Sequence, residues 1–302
     1  MSKAAAILGL VWGLLGLGAL VGAFAGPGGM AAAAADARPI TLAPHRAVYD
    51  MALDNARSGS GVSNIVGRMV YELTGSACDG FTQNMRFVTV MTNQEGAATT
   101  TDLRTSSWEE GNGRRLTFRS NQLRDQKATE ATSGDASRQT PGGAVKVELT
   151  QPAKKSLALD PQKIYFPVQH SIALLTAARA GKTLFRADLY DGSEKGEKVY
   201  DTVTSIGRQR PPGANRALAK VANAEPLDHL SAWPVSIGYF ETGKDNEDAV
   251  PVYELSFLFY ENGVSRNLTV DYGEFSMRGE LKEITFLAPS KCAAGSADSA
   301  RK

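Results

Sequence analysis

Residues 64–92 constrain the fold more than any other stretch of this chain. They read NIVGRMVYELTGSACDGFTQNMRFVTVMT, two runs of strand character joined by Ser76-Ala77-Cys78-Asp79-Gly80. In the first run Ile65, Met69, Tyr71 and Leu73 share one parity, with Asn64, Arg68 and Glu72 on the other. That is the period of a strand with one buried and one wet face. Phe81, Met85, Phe87 and Met91 repeat the pattern in the second run, and Asp79-Gly80 supplies the tight reversal of a hairpin. Cys78 lies in that turn; the only other cysteine, Cys292, lies near the far end of the chain.

The first residues read as an export signal. Lys3 is followed by the uncharged, apolar run Ala4–Ala25, and Ala33-Ala34-Ala35 before Asp36 fits a signal-peptidase site, with Ala23-Phe24-Ala25 a second candidate. An uncleaved membrane anchor is the alternative, since the run is long enough to span a bilayer; the dense Gly and Ala and the small-residue site favour cleavage. Neither site has a cysteine for an N-terminal lipid. The expected domains are a signal peptide at 1–35, one β domain at 36–295 and a small-residue tail at 296–302. A mature chain of about 267 residues can bury a core as a single all-β domain. Its Lys and Arg balance its Asp and Glu, which argues against a nucleic-acid partner and against polybasic attraction to a membrane. Two cysteines in an exported chain are expected to pair.

Downstream the alternation continues. Strands are expected at Pro44–Asp54, Ala98–Trp108, around Leu116 and Phe118, at Val145–Leu149, Thr183–Tyr190, Val199–Ile206, Val235–Phe240, Pro251–Tyr260, Val264–Tyr272 and Phe275–Phe286. The apolar parity slips between Leu281 and Ile284, which predicts a bulge near Lys282. Residues 124–137 are so polar that an edge strand and a long loop are both open, and Arg216–Ala222 reads as a short helical turn. One helix is expected from Pro167 to Ala180. Proline suits its first turn, Gly181 its C-terminal cap, and Val168, Ile172 and Leu175 form its apolar stripe. About a dozen strands joined by short turns imply antiparallel pairing.

Catalytic signals are weak. His45, His170 and His229 have no partner at metal-ligand spacing; His170 reads as a partly exposed surface residue and the other two as hydrogen-bonded loop residues. Ala180-Gly181-Lys182-Thr183 resembles the end of a phosphate loop, but it ends a helix rather than starting one. Gly192-Ser193-Glu194-Lys195-Gly196 misplaces its serine for a nucleophile elbow. Asp201, Glu241, Glu254 and Asp271 read as solvated strand-face or turn residues. Trp108, Trp233, Tyr239, Phe257, Phe259 and Tyr272 read as core, with a ligand pocket the alternative.

Several segments together carry a family resemblance: Ala43-Pro44-His45-Arg46-Ala47-Val48-Tyr49, Gly67–Glu72 running into Gly75–Asn84, Phe166-Pro167-Val168-Gln169-His170, Leu189-Tyr190-Asp191-Gly192-Ser193, Leu258–Ser265 and Asp271-Tyr272-Gly273-Glu274-Phe275. The chain resembles the EipB-like family, periplasmic cell-envelope integrity proteins of alphaproteobacteria once filed as a domain of unknown function. The resemblance implies a mainly β fold: a large curled antiparallel sheet, a β-spiral or open half-barrel like the periplasmic lipoprotein carriers, with one packed helix. It also implies one disulfide joining Cys78 to Cys292. It carries no catalytic residues, cofactor or metal.

The expected function is that of a non-enzymatic periplasmic protein, no longer membrane-anchored once the signal is cleaved. It would support the envelope by binding an envelope protein or a lipid or peptide ligand. A hydrolase of cell-wall or lipid material and a carrier of acylated ligands are the alternatives. The helix has few large residues with which to fill a curled sheet, so a cleft is expected along Ile172, Leu175 and Ala177, with strand-edge pairing as a second route to a peptide.

Overall fold

The structure is a computed structural model, described here for residues 38–140, 142–159, 164–216, 218, 220–241 and 250–291. The segment expected to be a signal peptide, the expected tail and Cys292 lie outside these residues.

Fifteen strands form one sheet in the order β8-β7-β6-β5-β4-β3-β2-β1-β15-β14-β13-β12-β11-β10-β9. In chain order β1–β8 span His45–Ala56, Val62–Ser76, Gly80–Asn93, Ala98–Glu109, Arg115–Arg124, Lys127–Ser137, Val145–Gln151 and Lys155–Leu159. β9–β15 span Ile164–Tyr165, Leu184–Leu189, Tyr200–Ile206, Ala232–Glu241, Tyr253–Tyr260, Ser265–Asp271 and Phe275–Phe286. Two runs of strand-to-next-strand pairing are thus zipped together where β1 meets β15. All pairs are antiparallel except β9 with β10, as short connections require.

The long hairpin forms as its alternation demands. Ile65 pairs with Met91, Met69 with Phe87 and Tyr71 with Met85, so the apolar parities share one face. The bulge falls at Lys282: Val48 faces Glu283 and Tyr49 faces Leu281, leaving Lys282 without an opposite residue. The polar stretch 124–137 resolves into a tight hairpin. Asp125 and Gln126 take φ 48° and 65°, the left-handed pair that a two-residue turn requires, and β6 follows. The expected turn at Arg216–Ala222 includes residues 217 and 219, which lie outside the described set. Among the described residues nearby, the helical turn is the 3₁₀ segment Glu225–His229, and Ala222 bridges Glu283 alongside β15.

The sheet curls until its ends meet. One apolar cluster unites Leu116 and Phe118 of β5, Ala136 of β6 and Val147 of β7 with Ile164, Phe166 and Tyr190 from the opposite end. The Phe118 and Tyr190 rings lie 5.8 Å apart, edge to face. Gly192 permits this approach: a Cβ there would sit 2.2 Å from the Phe118 ring, and its φ of +77° suits no other residue well.

The helix α1 spans Pro167–Arg179. It buries Val168, Leu174, Leu175, Ala177 and Ala178 in a cluster that holds both Leu73 and Phe81 of the hairpin and Leu189, Trp233, Val235 and Phe259 of β10–β13. Contact with strands so far apart in the sheet order places α1 inside the curl, on its concave side. A second cluster, formed by Tyr49, Met51, Ile65, Leu268, Met277 and Leu281 among others, holds the β1–β15 seam.

Candidate functional site

The end of the curl that holds the helix is fastened by buried polar contacts. The N-cap residue Phe166 has no side chain to cap with, and the first turn carries no acid. The backbone amides of Val168 and Gln169 instead donate to the two carboxylate oxygens of Glu109, at 2.7 and 2.9 Å. Glu109 stands at the end of β4, so the cap comes from across the curl. Burial pushes its carboxyl up to about 8, although the two amide bonds and Arg138 pull the other way. Arg138 donates Nε to the Gly113 carbonyl at 2.8 Å and Nη1 to the Ile164 carbonyl, and it covers the Phe166 ring at 4.2 Å. Gln169 Nε2 donates to the Gly111 carbonyl. A proline-initiated helix preceded by phenylalanine signals in sequence that its cap must come from elsewhere. It does not say from where.

His170 is a buried residue, which corrects the surface reading. Thr202 Oγ1 donates to the Ala187 carbonyl at 2.6 Å, so His170 Nε2–H donates to Thr202 Oγ1 at 3.1 Å. Desolvation lowers its pKa to about 4 and keeps the ring neutral. His45 is also buried, with Nδ1 on the Ala43 carbonyl at 2.7 Å. Among the described residues no three His, Cys, Asp or Glu side chains converge as metal ligands would. Asp188 and Asp201 face each other across β10 and β11, and burial with the Asp201 charge raises the Asp188 pKa. They stand on the face opposite to Ala187, Leu189 and Thr202, so the pair points away from the curl's interior.

Leu175 and Ala177 are buried where the helix meets the sheet, at 0% and 6% exposure. Ile172 packs on the same cluster but is only partly buried. Other partly accessible apolar side chains lie on the strands beyond the helix. The inner faces of β2, β3 and β4 carry Leu73, Phe81 and Glu109 where the helix covers them. On the same faces, further along, Met69, Phe87, Met91 and Leu103 are only half-buried. Leu255 of β13 and Val270 of β14, paired in register, are half-buried as well. Tyr71 and Phe257 pack against both clusters. Large apolar side chains held on a concave sheet yet left partly wet are what a ligand cleft presents. Of the aromatic residues singled out from sequence, Trp233, Tyr239 and Phe259 are core, whereas Trp108, Phe257 and Tyr272 retain contact with solvent.

Cys78 is exposed in the β2–β3 turn. The serine preceding it by two positions, Ser76, accepts a hydrogen bond at 2.9 Å from Ser290 Oγ. The chain thus returns to this turn two residues before Cys292, which itself lies outside the described residues.

Comparison with known proteins agrees with this architecture. The EipB-like family pattern matches residues 36–288. The cell envelope integrity protein EipB of Brucella abortus (strain 2308) is 37% identical over 258 residues, covering 85% of this chain and 88% of that protein. A crystal structure of a beta-barrel-like protein of domain of unknown function DUF1849 from Brucella abortus superposes with a TM-score of 0.72 at 34% identity, covering 82% of this chain and 100% of that one. The chain belongs to the EipB-like family.

Proposed function

We propose that this chain is a non-enzymatic periplasmic protein that supports envelope integrity by receiving an apolar envelope component on the concave face of its sheet. The wall of Met69, Phe87, Met91, Leu255 and Val270 carries this reading: these side chains pack on the core clusters yet keep contact with solvent on the concave face, where an apolar ligand could cover them. The envelope role follows the name of the Brucella relative. An acyl chain is the ligand class that suits a wall with methionine and phenylalanine and no charged side chain among those five residues. Binding rather than hydrolysis is supported by the placement of the titratable groups. Glu109 and His170 are engaged in holding the helix, and the facing carboxyls of Asp188 and Asp201 point away from the cleft.

The test is titration of the purified protein with a fluorescent fatty acid. Saturable binding with Kd of about 1–10 μM is expected, weakened at least about tenfold by Met91→Glu, which places a charge on the wall without entering the sealed core. No saturable uptake, or equal uptake by wild type and Met91→Glu, overturns the proposal.

A further inference from the structure

Away from the acyl wall, two turns build a separate groove at the rim of the sheet. Residues 57–60, between β1 and β2, and Tyr272, Gly273 and Glu274, between β14 and β15, border a shallow, open groove of about 280 Å³. The turns are tied together: Arg57 N donates to the Glu274 carbonyl at 2.9 Å. Each is also fixed internally. Ser60 N donates to the Arg57 carbonyl, Tyr272 N to the Phe275 carbonyl at 2.9 Å, and Gly273 N to Asp271 Oδ1 at 2.7 Å. Gly59 and Gly273, both at positive φ, leave the backbone uncovered; a Cβ at either would meet nothing within 4 Å.

Tyr272 lines one side of the groove, and its ring is half-buried. Neighbouring rings lock it in place: Phe275 lies 5.2 Å away and Tyr253 6.1 Å, and Tyr253 in turn stacks on Tyr239 at 4.2 Å. Burial raises the Tyr272 pKa, so its hydroxyl remains a neutral donor and acceptor. The remaining walls offer a guanidinium from Arg57, a carboxylate from Glu274 and the hydroxyls of Ser58 and Ser60.

This chemistry selects by exclusion. A simple anion would meet Glu274 and a simple cation would meet Arg57, each a like charge. An acyl chain would desolvate both charges without pairing them. A neutral polyhydroxylated ring satisfies all the walls: its C–H face rests on the tyrosine, and its hydroxyls donate to the carboxylate and accept from the guanidinium. The volume suits one or two such rings, being just below the ~300–1,000 Å³ typical of ligand pockets.

We propose that this groove binds a neutral saccharide, with one pyranose ring on the face of Tyr272, its hydroxyls between Arg57 and Glu274, and the next ring toward half-buried Tyr253. The groove is lined by none of Met69, Phe87, Met91, Leu255 or Val270, although Tyr272 packs on the same cluster as Val270, so the two readings are separated by which variants weaken which ligand.

Calorimetric titration of the purified protein with N,N′,N″-triacetylchitotriose and, separately, with maltotriose, both neutral, tests it. Saturable binding of at least one trisaccharide is expected, with Kd of about 0.1–1 mM. Tyr272→Ala should weaken it by about tenfold or more. Ser58→Trp, in an exposed turn outside the core, should weaken it comparably by filling the groove while leaving the melting temperature unchanged. Met91→Glu should leave it intact. Failure of both sugars to saturate by about 10 mM overturns the proposal, as does binding that survives Ser58→Trp.

Discussion

Two stretches of one concave surface differ sharply. Under the helix, Leu73, Phe81 and Glu109 are 2%, 4% and 1% exposed; further along the same strands and the same face, Met69, Phe87 and Leu103 remain half-buried. The strands, the pairing and the alternation are common to both. What differs is the covering element. A 13-residue helix spans about 20 Å, less than the long strands it lies against. Beyond its end the cover is partial: Ile65 on the same face is sealed in the second cluster with Leu227, whereas Met69, Phe87 and Leu103 pack against neighbours and keep some contact with solvent, so the apolar parity of the long hairpin is sealed in some places and partly wet in others.

The largest effect should come from the buried cap. Glu109→Ala leaves the two buried helix amides of Val168 and Gln169 without their acceptor and should cost ~3 kcal/mol, read by urea unfolding. A loss within ~0.5 kcal/mol would mean that water caps the helix and that the two regions are not fastened differently.

The disulfide proposed between Cys78 and Cys292 should rank close behind. It would close a loop over most of the chain and fasten the first hairpin to the segment after β15, as the Ser290–Ser76 contact favours. Cys292→Ser should lower the melting temperature by the equivalent of ~2–4 kcal/mol in oxidising buffer. Equal melting of reduced and oxidised wild type would remove the bridge from the account.

Truncation sharpens the contrast directly. Leu175→Ala should cost ~3 kcal/mol and Met91→Ala only ~1 kcal/mol, because only the first opens a sealed cavity. Equal costs would show that the far wall is packed in solution.

The pH dependence should also localise to the sealed end. The Glu109 carboxyl is raised from 4.5 to about 8 in the folded chain, so the folded state holds the extra proton. Its contribution to stability is therefore fully present below pH 4.5 and is lost as pH rises through about 8. Glu109→Gln, which mimics the protonated carboxyl, should flatten that slope when stability is measured from pH 4 to 9; an unchanged slope would assign it to another group.

Smallest, Asp188→Asn should raise stability at pH 7 by ~0.5 kcal/mol or less, by relieving the like-charge pair with Asp201 on the outward face. A loss of stability would mean that the two carboxyls share a proton or bind a cation.

Much of this architecture is legible along the chain, because a strand's alternation and a helix's stripe are local. The hairpin of residues 64–92, the helix beginning at Pro167 and the slip at Lys282 all follow from the parity of neighbouring side chains. The turn at Asp125-Gln126 was less legible: it lacks the glycine that usually marks positive φ, and cross-strand pairing holds it instead. The capping by Glu109, the burial of His170 beneath Phe185 and Thr202, and the contact of Phe118 with Tyr190 leave no periodic trace. They join residues tens of positions apart that meet only when the sheet curls. The sequence by itself determined which face of each strand is apolar. Only the tertiary structure decided which part of that face the helix would cover and which would stay wet, because coverage depends on where a short helix comes to rest on long strands.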